Sequence, residues 1–316
     1  MRKLSEFKAQ LFQEINGQKE ACELLSSVLY KYLLRFFGRD HGIYFEQPLV
    51  TLITGKTGVG KTHLITTAAR ILNLHLITIN SKSLSQEGWA GKSLVKLLEE
   101  ELQTLNGYNK TGGILFLDEF DKICLPQGSS TTDNHNEHIQ FSILKSLEGI
   151  QVSRVNLKNW CIILGGAFTG LKTNLNNESG FNTEHNKKRD HQEALLSYGM
   201  LPEILGRISE IIQLQPLTEK HYAELLESPQ FVYKKYQELF KKIGLTFKVS
   251  SDIIEKAMKK DLGVRSLIQE VEIELTNFLL THELDLEKFY IPLEEPGTDK
   301  IRQVLKNSFN NKDLDI

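Results

Sequence analysis

Eight consecutive residues, Gly55-Lys56-Thr57-Gly58-Val59-Gly60-Lys61-Thr62, spell a complete GxxxxGK[ST] phosphate-binding loop, and the apolar run 49–54 stands directly in front of it. A loop that leaves a buried strand and opens a helix turns its backbone N–H groups toward phosphate oxygens, while the lysine reaches the terminal phosphates and the final hydroxyl ligates magnesium. The backbone at Gly58, Val59 and Gly60, the side chains of Lys61 and Thr62, and the adjoining His63 therefore form a candidate site for a nucleoside triphosphate. Lys61 doubles there as a catalytic cation. A second signal lies downstream, where Ile114-Leu115-Phe116-Leu117 delivers the acids Asp118 and Glu119. At the carboxyl edge of a sheet, where ligands of open α/β folds bind, Asp118 is placed to hold Mg2+ through water and Glu119 to polarise the water that attacks the γ-phosphate. The pair separates hydrolysis from binding alone.

These residues need a scaffold that brings strand ends together. Strand-length apolar runs recur at 49–54, 74–79, 114–117, 160–164 and 211–214. Between them lie helical spacings such as Leu64, Ala68, Ile71 and Leu72, and Leu94, Leu97, Leu98 and Leu102. Strands alternating with helices imply a five-stranded parallel sheet covered on both faces. After Pro216 only helical patterns remain, at 218–228, 229–243, 250–260 and 263–281. The expected organisation is an α/β domain over 1–215, a smaller helical domain over 216–290, and a tail over 291–316. The polar stretches 133–136 and 174–189, without apolar periodicity, read as surface loops.

Composition narrows the class. With 40% apolar and 25% charged residues, the chain of 316 residues is expected to bury a sizeable core. A net charge of −2 gives no global reason to expect nucleic acid or an anionic membrane as partner. Cys22, Cys124 and Cys161 lie far apart and form no metal-ligand spacing, which fits a reducing, cytoplasmic setting better than a disulfide framework. The start, Met1 to Lys8, lacks a signal-peptide core, and no run approaches the length of a membrane span.

The stretch Phe116-Leu117-Asp118-Glu119-Phe120-Asp121-Lys122-Ile123 resembles the Walker B box of the ClpX and HslU protein unfoldases, a branch of the AAA+ ATPases. Four further boxes occur in the family's order. Ile15-Asn16-Gly17-Gln18-Lys19-Glu20-Ala21 is similar to the box that cups adenine, which implies a cofactor-binding role for Ile15 and Asn16. Gly165-Gly166-Ala167-Phe168-Thr169-Gly170-Leu171 is similar to the segment ending the fourth strand, which ends here in glycines and leaves the phosphate-sensor role unassigned. Leu201-Pro202-Glu203-Ile204-Leu205-Gly206-Arg207-Ile208 is similar to the arginine-finger box, and Gly263-Val264-Arg265-Ser266-Leu267 to the sensor-2 box. The resemblance implies that Arg207 completes a neighbouring subunit's catalytic site in a ring, expected to be a hexamer, and that Arg265 reaches the bound phosphates. It also implies that Trp89, in Glu87-Gly88-Trp89-Ala90-Gly91, is a pore-loop paddle gripping protein substrates.

The chain departs from that family in three places. The sequence holds no cysteine set like that of the family's amino-terminal zinc domain, and the segment 148–159 is short for a second pore loop, with Arg154 and Lys158 as its basic residues. In Glu178-Ser179-Gly180-Phe181-Asn182, polar Ser179 replaces the aliphatic anchor of a peptidase-docking tripeptide, which weakens the expected peptidase contact although Phe181 remains. The expected activity is ATP-driven unfolding, translocation or remodelling of proteins. The alternative is a nucleotide-gated assembly factor or switch that binds one partner without threading it.

Overall fold

The computed structural model describes residues 3–84, 93–103, 112–125, 135–148, 151–152, 155–171 and 184–282. Strands β1 (Leu49–Thr54), β2 (Leu76–Asn80), β3 (Gly113–Asp118), β6 (Trp160–Gly166) and β7 (Ile208–Gln213) form one sheet in the order β2-β3-β6-β1-β7. Every pairing is parallel. β4 (Gln151–Val152) and β5 (Val155–Asn156) make a separate antiparallel pair, which no apolar run announces. Asn80 stands in register with Asp118. Thr54 stands in register with Gly166, so the ends of β1 and β6 meet at one edge.

Side chains alternate across each strand, and both faces are apolar. On β3 and β6, Leu115, Leu117, Ile162 and Leu164 enter one core with Leu98 and Leu102 of α4 (Leu94–Gln103) and Ile139, Ile143 and Leu147 of α5 (His135–Leu147). Ile114, Phe116, Cys161 and Ile163 enter the other, with α1 (Leu4–Glu14), α2 (Lys19–Gly38) and α3 (Lys61–Leu72) supplying Phe7, Leu25, Leu29, Leu64 and Ala68. α3 begins after Gly60 and ends at Asn73 in the left-handed conformation, φ 53°, whose N–H caps carbonyls of the last turn. The remaining helices are α6 (Glu184–Ser197), α7 (Pro202–Leu205), α8 (Glu219–Glu227), α9 (Val232–Lys242), α10 (Ile253–Lys259) and α11 (Val264–Thr281). A third core, built on Tyr222, Phe240, Phe247, Leu267 and Val271, lies entirely within the all-helical stretch after β7.

Two loop expectations are corrected. His135 opens α5, and α6 begins at Glu184 within the polar stretch that reads as a surface loop. α6 is polar over its first two turns, and its apolar residues, buried Ala194 and Leu195 and exposed Leu196, come only near its end. Amphipathic spacing is therefore too sparse there to read from sequence. Among the described residues, no helix is long and apolar enough to cross a membrane.

Candidate nucleotide site

The carboxyl ends of β1, β3 and β6 and the start of α11 surround a cavity of about 250 Å³. Lys61, Thr62, Asp118, Glu119 and Arg265 all line it, with Gly58, Gly60 and His63. The Thr62 hydroxyl donates to Asp118 Oδ2 at 3.1 Å, and the Glu119 backbone N–H donates to Asp118 Oδ1 at 2.8 Å. Two hard oxygen donors from separate elements thus meet at one point, a donor set suited to Mg2+. Val59 differs from its neighbours: its side chain is buried in the core beneath the loop, leaving only its backbone for a ligand.

Lys61 folds back over its own loop, donating to Gly55 O at 2.5 Å and Lys56 O at 3.1 Å. Burial pushes its ammonium below the ordinary lysine range, Asp118 and Asp121 pull it back, and Arg265 and Lys122 add to the lowering. Burial likewise lowers the His63 imidazole. Glu119 sits in the left-handed region at φ 56° and is tethered through Oε2 to Asn80 Nδ2 at 3.3 Å and Lys82 Nζ at 3.2 Å. Burial raises the Glu119 carboxyl, but the Lys82 and Asn80 contacts outweigh it, and the net direction is down. Ionised at neutral pH, Glu119 has the protonation state a base requires.

The helical stretch touches the loop directly. Val264 N–H donates to Gly58 O at 3.0 Å, and Lys56 Nζ lies 2.9 Å from Asp261 Oδ2. Gly58 and Gly263 pass backbone to backbone: a Cβ on Gly58 would stand 1.9 Å from Leu262 O, and one on Gly263 would stand 2.5 Å from Gly58 O. Both have positive φ, 80° and 61°, so only glycine meets the steric and the conformational demand at once. This clasp brings Arg265 to the cavity.

Other expected residues lie apart. Ile15 and Asn16 line a second cavity of about 400 Å³ with Phe12, Lys19, His221 and Glu224, between the α1–α2 turn and α8. Arg207 does not line the phosphate cavity; it donates to Glu148 Oε1 at 2.7 Å. Lys158 pairs with Glu46 at 3.2 Å near the start of β6. Trp89, Arg154, Ser179, Phe181 and the tail 291–316 lie outside the described residues. Sequence reasoning missed Asn80, Lys82, Asp121, Lys122 and the Lys56–Asp261 pair. Asp121 and Lys122 stand inside the Walker B stretch, but no spacing rule distinguishes them from solvated turn residues.

Residues 47–211 match the AAA domain (Cdc48 subfamily). The chain is 32% identical over 286 residues to the ATP-dependent Clp protease ATP-binding subunit ClpX 2 of Wolinella succinogenes, covering 81% of this chain and 72% of that protein. It is 30% identical over 326 residues to the ClpX subunit of Bacteroides fragilis, covering 90% and 78%, and 27% identical over 323 residues to ClpX 3 of Methylococcus capsulatus, covering 85% and 74%. Matched across its phosphate loop, its paired acids and its helical carboxy-terminal stretch, the chain belongs to the ClpX family of AAA+ ATPases.

Proposed function

We propose that this chain hydrolyses ATP at the cavity between the phosphate loop and α11, and uses the reaction to unfold, translocate or remodel protein substrates from within a homo-oligomeric ring, a hexamer. The supporting observation is the convergence of Lys61, Thr62, Asp118, Glu119 and Arg265 on one cavity from separate parts of the chain. The loop backbone at Gly58, Val59 and Gly60 cradles phosphates, Lys61 leaves its loop carbonyls for the terminal phosphates, and Glu119 orients the attacking water. Thr62 and Asp118 would hold Mg2+, which when bound supplies charge neutralisation across the phosphates. Ile15 and Asn16 receive the base, so the nucleotide spans both cavities.

Residues 1–215 act as the ATPase domain and 216–290 as the lid domain, whose rotation Arg265 ties to the phosphates through the Gly58–Gly263 clasp. Arg207, which has no place at its own subunit's cavity, serves the neighbour's site once released from Glu148. Trp89 grips substrate. The relatives named above are ATP-binding subunits of a protease; a peptidase contact here would run through the Phe181 loop.

Magnesium-dependent ATP turnover of wild type and Glu119→Gln tests the first half. The substitution is expected to cost roughly 10²–10⁴-fold in rate while nucleotide binding persists, and equal rates would sink the assignment. For the second half, Trp89→Ala is expected to leave ATP turnover and ring assembly in place and to abolish unfolding of a tagged reporter. Unchanged unfolding would remove the paddle.

A further inference from the structure

Two charged residues lining the phosphate cavity, Asp121 and Lys122, have no part in the function proposed above. Asp121 is 0% exposed, yet neither of its carboxylate oxygens has a hydrogen-bond partner. Lys122 Nζ stands 3.0 Å from Oδ2 as an ion pair, and Oδ1 has no partner among the described residues. A carboxylate buried with so few donors is costly, and the charge of Lys122 is its visible compensation. The pairing also holds Lys122 in its charged form: the Asp121 contact raises the ammonium above its ordinary range against a smaller effect of burial.

Lys122 does not end in that pair. Its side chain is 37% exposed and faces the cavity that Lys61 and Arg265 also line. Three cations thus share one small cavity, where Asp118 and Asp121 favour the charge of Lys61 and Arg265 and Lys122 oppose it. The arrangement becomes favourable when an anion of high charge sits among them. The β6 side of the cavity offers that anion no polar side chain, since Gly166 and Ala167 line it there. Gly166 has no room for one: a Cβ there would stand 2.9 Å from both Asp121 Cβ and the Asp121 backbone nitrogen. The chain thus gives up a donor on β6 at the place where it packs Asp121.

We propose that Lys122 is a further catalytic residue, its ammonium contacting the terminal phosphate of the bound nucleoside triphosphate, and that Asp121 is the positioning residue that aims it. This rests on the reading of the cavity as the ATP site. The water oxygen bonds to the γ-phosphorus while the bridging oxygen leaves with its electron pair on the diphosphate. Glu119 receives the water's proton. Lys122 keeps its own proton throughout and stabilises negative charge on the transferring group.

The test uses the full chain as wild type, Lys122→Met, Lys122→Arg and the double variant Asp121→Asn with Lys122→Met. Three quantities are read: melting temperature, kcat, and equilibrium binding of ADP against a slowly hydrolysed triphosphate analogue. Lys122→Met is expected to lower kcat roughly 10²-fold and to weaken the triphosphate analogue about tenfold, with ADP affinity changed less than about twofold. Lys122→Arg should recover most of the triphosphate preference. The double variant, which removes both charges, should restore the melting temperature without restoring that preference, and it decides the matter if Lys122→Met alone does not fold. A kcat within about threefold of wild type, equal losses for ADP and triphosphate, or a double variant that recovers both stability and preference overturns the proposal and leaves a purely structural ion pair. Wild type binding neither nucleotide would instead overturn the cavity reading itself, and this inference with it.

Discussion

The two edges of the central sheet are built from opposite materials. At the carboxyl edge, β1, β3 and β6 end in Thr54, Asp118 and Gly166, and the space beyond them is lined by charged side chains that face one another. At the amino edge, β1 and β6 begin with Leu49 and Trp160 beside a cavity of about 180 Å³ walled by Tyr32, Phe36 and Phe45. Cations occur there too, but they are spent locally. The guanidinium of Arg35 lies 4.8 Å from the Phe45 ring centre, that of Arg39 lies 4.4 Å from Phe36, and Lys158 pairs with Glu46. Cation–π stacking and ion pairing satisfy charge inside the chain, whereas convergence of like charges leaves it available for a ligand. What distinguishes a reaction site from a packed edge is thus the neighbour each charge is given.

That contrast breaks most easily at Trp160. The ring is 1% exposed and packs edge-on to His75 at a centroid distance of 6.2 Å. Trp160→Ala is expected to cost about 3–5 kcal/mol of stability, read as a lower denaturant midpoint, with nucleotide affinity unchanged in the protein that remains folded. A changed affinity would show that the amino edge also serves the ligand. Trp160→Phe should cost far less, since the indole N–H it removes has no acceptor.

On the reactive side, the next effect in size belongs to Gly263. Its substitution by alanine places a Cβ 2.5 Å from the Gly58 carbonyl at a φ of 61°. Strain of about 1–3 kcal/mol is expected, relieved by parting α11 from the phosphate loop and carrying Arg265 away from the cavity. Calorimetric titration should then show weaker ATP binding with the fold retained. Unaltered binding would mean that the clasp does not govern Arg265.

Much of this contrast is legible in the amino-acid sequence alone. The phosphate loop and the paired acids carry their meaning in fixed spacing, and the buried strands are continuous apolar runs that alternate between the two cores. Legibility ends where geometry between distant segments decides. Lys56 and Asp261 are 205 positions apart, and no periodicity relates them. Asp121 looks like a solvated turn acid until Gly166 packs against it. α6 is hidden by its polar first two turns, and no spacing rule announces that Arg207 pairs with Glu148, 59 positions away.

A smaller effect should separate the two tethers on Glu119. Its carboxyl is held low chiefly by Lys82 and Asn80 against the opposing effect of burial, so it stays ionised further into acid than an ordinary glutamate. Removing the cation in Lys82→Ala raises the carboxyl, and protonation then begins at higher pH. The acid limb of the kcat/KM profile is expected to move upward in pH, and an unmoved limb would mean that Glu119 is not the group titrating in that limb.

The smallest effect concerns a charge that the carboxyl edge does pair. Lys56 and Asp261 are 57% and 74% exposed, and exposed pairs contribute about 0–1 kcal/mol because water and salt screen them. Lys56→Ala should therefore shift ATP affinity by no more than about fivefold at low ionic strength, and the difference should vanish near 1 M salt, where the Debye length falls to about 3 Å. Gly263→Ala must behave differently, because a steric clash does not respond to salt. Measuring both variants across a salt series thus divides the contact between α11 and the phosphate loop into an electrostatic part and a packing part. A Lys56→Ala defect that persists in high salt would place the lysine among the groups that shape the loop itself, and the division drawn between paired and available charge would have to be moved inside the cavity.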